Sequence, residues 1–154
     1  MVLTQPLSPQ VCSSVVIEVA VASAGSLTRD ELVSLYAAVG WTAYTQDPDR
    51  LLRAVSASHR VVTARQDGRL VGLARTLSDG ETIAYLQDIL VDPQVQRAGV
   101  GRRLAQVLFD AYGRVRQHVL LTDAHPGQRA FYEDLGFTEV HEHTPQLRAF
   151  VRLG

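Results

Sequence analysis

The feature that most constrains the fold of this chain is a glycine loop, Gln96-Arg97-Ala98-Gly99-Val100-Gly101-Arg102-Arg103. It lies between an apolar run, Ile83 to Val91, and a segment from Leu104 onward whose apolar residues recur at helical spacing. The pattern predicts a strand that leads through a loop into a helix. Backbone N–H groups at such a helix start, uncovered by glycine, favour a bound phosphate, and the helix dipole adds to the attraction.

The charges around this loop point the same way. Arg97, Arg102 and Arg103 stand at the positive end of the predicted helix, where acidic residues are usual, and the first acid inside the helix is Asp110. This arrangement is unfavourable for an empty helix and favourable for one that holds a polyanion. The alternative is a glycine turn that merely joins a strand to a helix.

Spacing separates the known kinds of phosphate loop. Gly101 is followed by Arg102-Arg103, so the loop is not a P-loop, and a dinucleotide fingerprint would need a third glycine at Leu104. The pattern Gln-x-x-Gly-x-Gly, met after a strand that ends in Val91-Asp92-Pro93, instead resembles the pyrophosphate loop of the GNAT superfamily of acyl-CoA-dependent N-acyltransferases.

A second stretch, Ala130 to Phe137, resembles the end of the last helix in that family. Phe131 and Leu135 lie four residues apart on one helical face and suit the core, and Gly136 is the expected left-handed stop. Tyr132 falls at the edge of this apolar stripe, from which its hydroxyl can face a cleft.

Composition sets the background for these motifs. The 154 residues suit one domain, and we expect a disordered or extended tail over residues 1–14 and a single N-acetyltransferase domain over residues 15–154. A net charge of −1 favours neither nucleic acid nor acidic membranes as partners. The single cysteine, Cys12, excludes an internal disulfide and a metal-binding cysteine pair. Without a signal-peptide pattern or a long apolar run, the sequence predicts a cytoplasmic protein.

Periodicity and turn residues predict the order of the elements. Helices are expected after the capping box at Thr28, after Asp47-Pro48, after the glycine loop and around Tyr132. Strands are expected at residues 15–22, 59–65, 70–76, 82–91, 118–122, 137–142 and 147–153. The resemblance implies a mixed α/β architecture, the GNAT acyltransferase fold. This fold has a central, splayed, mostly antiparallel sheet of about seven strands, with about four helices on both faces.

The resemblance also implies acetyl-CoA as cosubstrate and assigns residues to it. The backbones of Ile89, Leu90 and Val91 would face the pantetheine arm, with an N–H near Leu90 directed at the thioester oxygen, where it would stabilise the developing negative charge. His125 stands where the family often has an asparagine that caps a helix and touches the coenzyme. The full set of coenzyme-binding residues implied is Ile89, Leu90, Val91, Gln96, Arg97, Ala98, Gly99, Val100, Gly101, Arg102, His125 and Tyr132.

Two catalytic residues are expected, each with an alternative. The family pattern makes Tyr132 the proton donor to the leaving thiolate; the alternative is a packing tyrosine. Asp88 is the only carboxylate inside an apolar strand, so it is a candidate base, acting through water, or an anchor for the substrate ammonium; the alternative is a structural hydrogen-bonding role. Tyr85 and Gln87 occupy positions from which some family members project a base, although neither residue type is a good base.

The acceptor site is expected at the connection between the first two helices, which walls this site in the family. Tyr36, Trp41 and Tyr44 would line it together with Tyr85 and Gln87, and the alternative for Tyr36 and Trp41 is core packing. No metal is expected, since the pair His141 and His143 lacks a specified third ligand.

These residues predict an N-acetyltransferase that moves acetyl from acetyl-CoA to a primary amine by direct attack, without a covalent acyl-enzyme. The amine could be a small molecule or a peptide, and a homodimer stays open. The alternative function is a coenzyme A-binding sensor or partner module that keeps the loop without the chemistry.

Overall fold

The computed structural model describes residues 16–154 of the chain, so the expectations for the tail and for Cys12 lie outside the described residues. Five strands form one sheet in sequential order. They are β1 (Ile17–Val21), β2 (Arg60–Gln66), β3 (Arg69–Ser78), β4 (Ile83–Val91) and β5 (Gln117–Leu120). The first three pairings are antiparallel and the last, β4 with β5, is parallel. The sheet is therefore mixed and mostly antiparallel, as predicted.

Within residues 16–154, five α-helices accompany the sheet, and local sequence signals explain where several of them begin and end. They are α1 (Arg29–Ala38), α2 (Thr42–Thr45), α3 (Pro48–Ser56), α4 (Val100–Phe109) and α5 (Pro126–Asp134). Thr28 and Glu31 form the predicted capping box of α1, and Gly40 follows this helix with a φ of +80°. Asp47 caps α3 by accepting from the Arg50 N–H at 2.9 Å, with Pro48 at the first position.

The prediction of about seven strands was wrong at the end of the chain. Residues 137–142 and 147–153 do not join the sheet: Val140–Glu142 is a short 3-10 turn, and residues 144–154 have no helix or strand. Phe150 and Leu153 are 91% and 86% exposed. A strand needs a partner edge for its backbone, and an alternating sequence pattern does not by itself supply one. The short helix α2, which was not predicted, also brings the number of helices to five.

The helices cover the two largest apolar clusters of residues 16–154, one on each face of the sheet. On one face, α4 packs Leu104 and Leu108 against Val62 and Leu86, and Tyr132 of α5 joins them. The second cluster is built from α1, α3 and the other face of the strands, and its members are Leu32, Leu35, Tyr36, Leu51, Val55, Leu70, Leu73 and Leu90. Helices therefore cover both faces, as predicted.

A bulge in β4 decides which way its side chains point. Arg75 pairs with Asp88 and Thr76 pairs with Leu86, so Gln87 is an extra residue in β4. Because side chains alternate along a strand, one extra residue reverses their facing. Leu86 accordingly packs with α4, whereas Leu90 packs with α1 and α3. Asp88 therefore points toward α1.

Candidate active site

The sheet opens between β4 and β5. These strands pair only from Ile83 to Leu86 on β4 and from Gln117 to Leu120 on β5, although β4 continues to Val91. Within residues 16–154, the last five residues of β4 thus have no strand on that side. This splay leaves the side of residues 87–91 that faces away from β3 open to an extended ligand, which would bind there as an added strand would.

The segment after β4 is fixed to the end of that strand. Asp92 accepts from the Gln94 N–H at 2.9 Å and pairs with Arg69 at 2.7 Å. Burial alone would raise the pKa of Asp92, but the Gln94 N–H and the Arg69 guanidinium together lower it. Gln96 donates from Nε2 to the Val91 carbonyl at 3.0 Å. The glycine loop therefore starts from an anchored position.

The loop then exposes the start of α4. Gly99 is the N-cap residue with a φ of +71°, and no side chain of residues 16–154 caps this end of the helix. A Cβ built on Gly99 would meet nothing within 4 Å, whereas one on Gly101 would contact Phe131 at 3.6 Å. Gly99 therefore borders open space and Gly101 faces the interior. Val100 is buried in the core, so only its backbone is available to a ligand.

The three loop arginines differ in their surroundings. Arg102 pairs with Asp134 of α5, and Arg103 donates from Nη2 to the Ile17 carbonyl at 3.0 Å. Arg97 has a φ of +65°, and no carboxylate among residues 16–154 pairs with it. Arg97 is therefore the loop arginine most available to an anion, while a coenzyme contact by Arg102 would compete with Asp134.

Helix α5 brings His125 and Tyr132 to the same region. His125 is the N-cap residue, and its Nδ1 accepts from the Gly127 N–H at 3.1 Å. The imidazole thus does the capping expected of asparagine at this position. Tyr132 is 8% exposed and packs edge-on against Phe131 at a centroid distance of 5.1 Å. Burial raises the pKa of the Tyr132 hydroxyl against the opposing effect of a hydrogen bond with Thr122, so the phenol holds its proton.

The aromatic residues of the expected acceptor wall do come together. Tyr36, Trp41 and Tyr44 form a triangle with ring centroids 5.6 to 5.9 Å apart. Tyr36 is fully buried, whereas Trp41 and Tyr44 are 36% and 41% exposed. Tyr36 therefore packs in the core, whereas Trp41 and Tyr44 present ring surface that is accessible to a substrate. Tyr85 lies beside this cluster, where burial, Tyr44 and the charge of Asp88 raise its pKa.

Asp88 is held in a buried network beneath that wall. Its Oδ2 accepts from the Tyr36 hydroxyl at 2.7 Å and from Nε of Arg75, with which it forms an ion pair. Arg75 also donates from Nη1 to the Ala54 carbonyl at 3.3 Å and to Ser58 Oγ at 3.2 Å. The side chains of Arg75 and Asp88 are only 6% and 1% exposed. Burial and the charge of Asp88 raise the pKa of Tyr36 far above its usual range.

This geometry favours the structural role for Asp88 that the sequence left open. A carboxylate that already accepts from a guanidinium and a phenol has little access to a substrate proton. Arg75 and Ser58 were not among the site residues predicted from the sequence. A signal for Arg75 was present, since an arginine inside an apolar strand needs a buried partner.

An open pocket of about 780 Å³ lies next to the aromatic wall. The bulge residue Gln87 lines it on the sheet side, together with Tyr44 from α2. The other lining residues are Ala43, Gln46, Asp47, Arg50, Leu51, Ala54, Ala57, Arg75, Leu77 and Gly154. The pocket therefore joins the aromatic wall to the part of β4 at which its pairing with β5 ends.

The described residues hold no group of three or more His, Cys, Asp or Glu side chains placed for a metal ion. His141 instead lies 3.2 Å from Glu139, and His143 contacts the carbonyl of Pro145 at 3.0 Å. No helix within residues 16–154 is long and apolar enough to cross a membrane.

Comparison with known proteins adds to this geometry. The family model of the GNAT acetyltransferase domain matches residues 36–152, which is more than half of the chain. The chain belongs to the GNAT acetyltransferase family. Over 75 residues it is 35% identical to GCN5-related N-acetyltransferase 2 of Arabidopsis thaliana chloroplasts, a match covering 47% of this chain but only 28% of that protein.

Solved structures show the same fold over nearly the whole chain. A GNAT family acetyltransferase from Streptococcus pneumoniae superposes with a TM-score of 0.76 and 26% identity, covering 90% of this GNAT chain and 98% of that one. An aminoglycoside N-acetyltransferase solved in complex with CoA gives a TM-score of 0.67 at 16% identity, covering 94% and 98% of the two chains. At this identity, the second likeness concerns the fold alone.

Proposed function

We propose that this GNAT protein transfers an acetyl group from acetyl-CoA to a primary amine by direct attack, without a covalent acyl-enzyme. The observation that carries the proposal is that two ligand-binding surfaces adjoin along one side of the cleft. The unpaired end of β4 leads directly into the anchored loop and the uncapped start of α4. An extended, amide-containing arm that ends in a pyrophosphate has the shape and charge for these two surfaces.

The cleft fits this cosubstrate on features of this chain. Gly99 leaves open space where the loop backbone would approach the pyrophosphate, and Arg97 supplies an unpaired cation beside it. Backbone groups of Ile89, Leu90 and Val91 would bind the pantetheine arm, with an N–H near Leu90 directed at the thioester oxygen. Because negative charge grows on that oxygen during attack, a fixed donor there lowers the barrier.

The reaction forms a C–N bond and breaks the C–S bond of the thioester. The amine must be neutral to attack, so it first loses a proton to water, and the nitrogen loses a second proton as the amide forms. The leaving sulfur takes up one proton, which we assign to the Tyr132 hydroxyl; solvent then restores the phenol. Because burial raises the pKa of Tyr132, the hydroxyl is protonated before this step.

Asp88 has a positioning role in this proposal. Asp88 holds Arg75 at the lining of the acceptor pocket, which is the pocket of about 780 Å³ described above. It also holds Tyr36 beneath Trp41 and Tyr44, so the aromatic wall keeps its shape. Because Asp88 is already paired with Arg75 and Tyr36, we assign the removal of the amine proton to water near Tyr85 and Gln87. Direct attack then needs only proximity and a neutral amine.

We also propose that the protein forms a homodimer, because apolar side chains of the C-terminal segment are exposed. Phe150, Val151 and Leu153 are strongly exposed, and a second copy would shield them from water.

A thiol-release assay with acetyl-CoA and a panel of amines tests the function. An acetyltransferase releases free coenzyme A thiol only when an acceptor amine is present, and the acetylated amine appears in equal amount. The alternative, a coenzyme A sensor, binds acetyl-CoA in calorimetry but releases no thiol with any amine. That outcome would refute catalysis while leaving the cleft assignment intact.

A further inference from the structure

The acceptor pocket is lined by a cation that forms no ion pair with a carboxylate of residues 16–154. Arg50, in the first turn of α3, lines the pocket of about 780 Å³ and is exposed. Within residues 16–154, no Asp or Glu pairs with its guanidinium. Arg75, on the same pocket, is neutralised by Asp88. The two guanidinium groups are therefore not equivalent.

The carboxylate side chain of Asp47 also lines the pocket. Asp47 Oδ1 accepts the backbone N–H of Arg50 at 2.9 Å and so caps α3. This bond goes to the backbone and leaves the Arg50 side chain free. The charged side chains lining the pocket are Asp47, Arg50 and Arg75, and Gly154 brings its carboxylate to the same lining. Among residues 16–154, the Arg50 guanidinium is the one cation of this lining that forms no ion pair.

The position of Arg50 relates it to the reaction. The same pocket reaches Gln87 at the β4 bulge, next to the unpaired strand end where the acetyl group is expected. An amine at that end would therefore extend toward Arg50 through the pocket. Leu51 and Leu77 add apolar side chains to the pocket lining, against which the carbon skeleton of such an amine would pack.

We infer that the acceptor is a small amine that also carries an anionic group, a carboxylate or a phosphate, and that Arg50 binds this group. The inference rests on the proposed function and names its substrate class. A guanidinium matches both kinds of oxyanion with two parallel N–H donors. The chain would then select against polycationic amines, because the Arg50 guanidinium would repel a second cationic group of the acceptor.

The test measures thiol release for two matched pairs of amines. Each pair differs by one anionic group: tyrosine with tyramine, and phosphoethanolamine with ethanolamine. The parent protein should show the higher kcat/KM for the anionic member of at least one pair. Arg50→Gln should lower that kcat/KM by roughly 10- to 100-fold, mainly through KM, as expected for one charged hydrogen-bonding contact. The neutral members should change by less than about two-fold.

Arg53→Gln is the matched control, since Arg53 is exposed on the same helix but does not line the pocket. It should leave both members of each pair unchanged, whereas Arg50→Lys should retain part of the preference. The inference is overturned if the parent prefers the neutral member of both pairs, or if Arg50→Gln lowers both members equally. If no amine releases thiol at all, the proposed function fails and this inference fails with it.

Discussion

Replacing Asp88 by asparagine tests whether this residue holds the site together or takes a proton. The substitution keeps the size of the side chain and an oxygen that can accept from Tyr36. It removes the negative charge that faces Arg75, whose side chain is only 6% exposed. Leaving one charge of a buried pair without its partner costs about 3–5 kcal/mol of folding free energy.

That cost is large for a chain of this length. A loss of about 3–5 kcal/mol corresponds to a fall in Tm of roughly 6–20 °C, at about 2–4 °C per kcal/mol. Urea unfolding followed by circular dichroism measures the free energy of unfolding directly. Asp49→Asn is the control, because the Arg29–Asp49 pair is exposed on both sides and such pairs contribute about 0–1 kcal/mol.

Two results would refute this reasoning. In the first, Asp88→Asn unfolds at the same urea concentration as the parent and as Asp49→Asn. In the second, the parent has an acid limb in its profile of kcat/KM against pH and Asp88→Asn abolishes it, as expected for a base. The positioning role predicts a lower rate with a pH profile of unchanged shape. The double variant Arg75→Met/Asp88→Asn should recover part of the lost stability, because the unpaired cation is then gone.

Three further predictions concern other parts of the molecule. Tyr132→Phe should lower kcat by roughly 100-fold while acetyl-CoA binding persists, and near-parental turnover would reduce Tyr132 to a packing residue. The lowered pKa values of Glu31 and Asp92 mean that their stabilisation is present above their ordinary pKa values of 4.5 and 3.8 and is lost as pH falls below them. Glu31→Gln and Asp92→Asn should therefore make Tm fall less steeply between about pH 5 and pH 3 than it does in the parent. An unchanged dependence of Tm on pH would show that the pKa values of these two groups are not lowered by folding. Phe150→Arg should shift the mass measured by analytical ultracentrifugation from dimer to monomer, and a monomeric parent would end the dimer proposal.

Local signals predicted most of the fold. The capping box at Thr28, the first-turn proline Pro48 and the left-handed glycine Gly136 all lie where the sequence placed them. These signals act over a few residues, so they can be read without knowledge of the rest of the chain. The prediction of two C-terminal strands was wrong because a strand must pair with the edge of another strand far away in the sequence. Periodicity does not indicate whether such an edge is available.

In the candidate site, too, some features follow from the local sequence and others depend on residues far away in the chain. The loop around Gly99 follows from its own residues, whereas the surroundings of Asp88 depend on the bulge at Gln87 and on Arg75 in another strand. One extra residue in a strand reverses the facing of all that follow. The sequence therefore singled out Asp88 as a candidate site residue but did not predict on which face of the sheet its side chain lies.

The most direct test of the acetyl-CoA cleft is a calorimetric titration of two glycine variants. Gly99 and Gly25 have nearly the same backbone, with φ of +71° and +72°, and a Cβ on either would meet nothing within 4 Å. Gly99→Val and Gly25→Val therefore carry a similar backbone strain, but only the first places a side chain at the start of α4.

The parent and Gly25→Val should bind acetyl-CoA at one site with the same affinity, and Gly99→Val, still folded, should bind at least ten-fold more weakly, a difference of about 1.4 kcal/mol. Equal affinity for Gly99→Val and the parent, or a parent that does not bind acetyl-CoA, would contradict the assignment of this cleft.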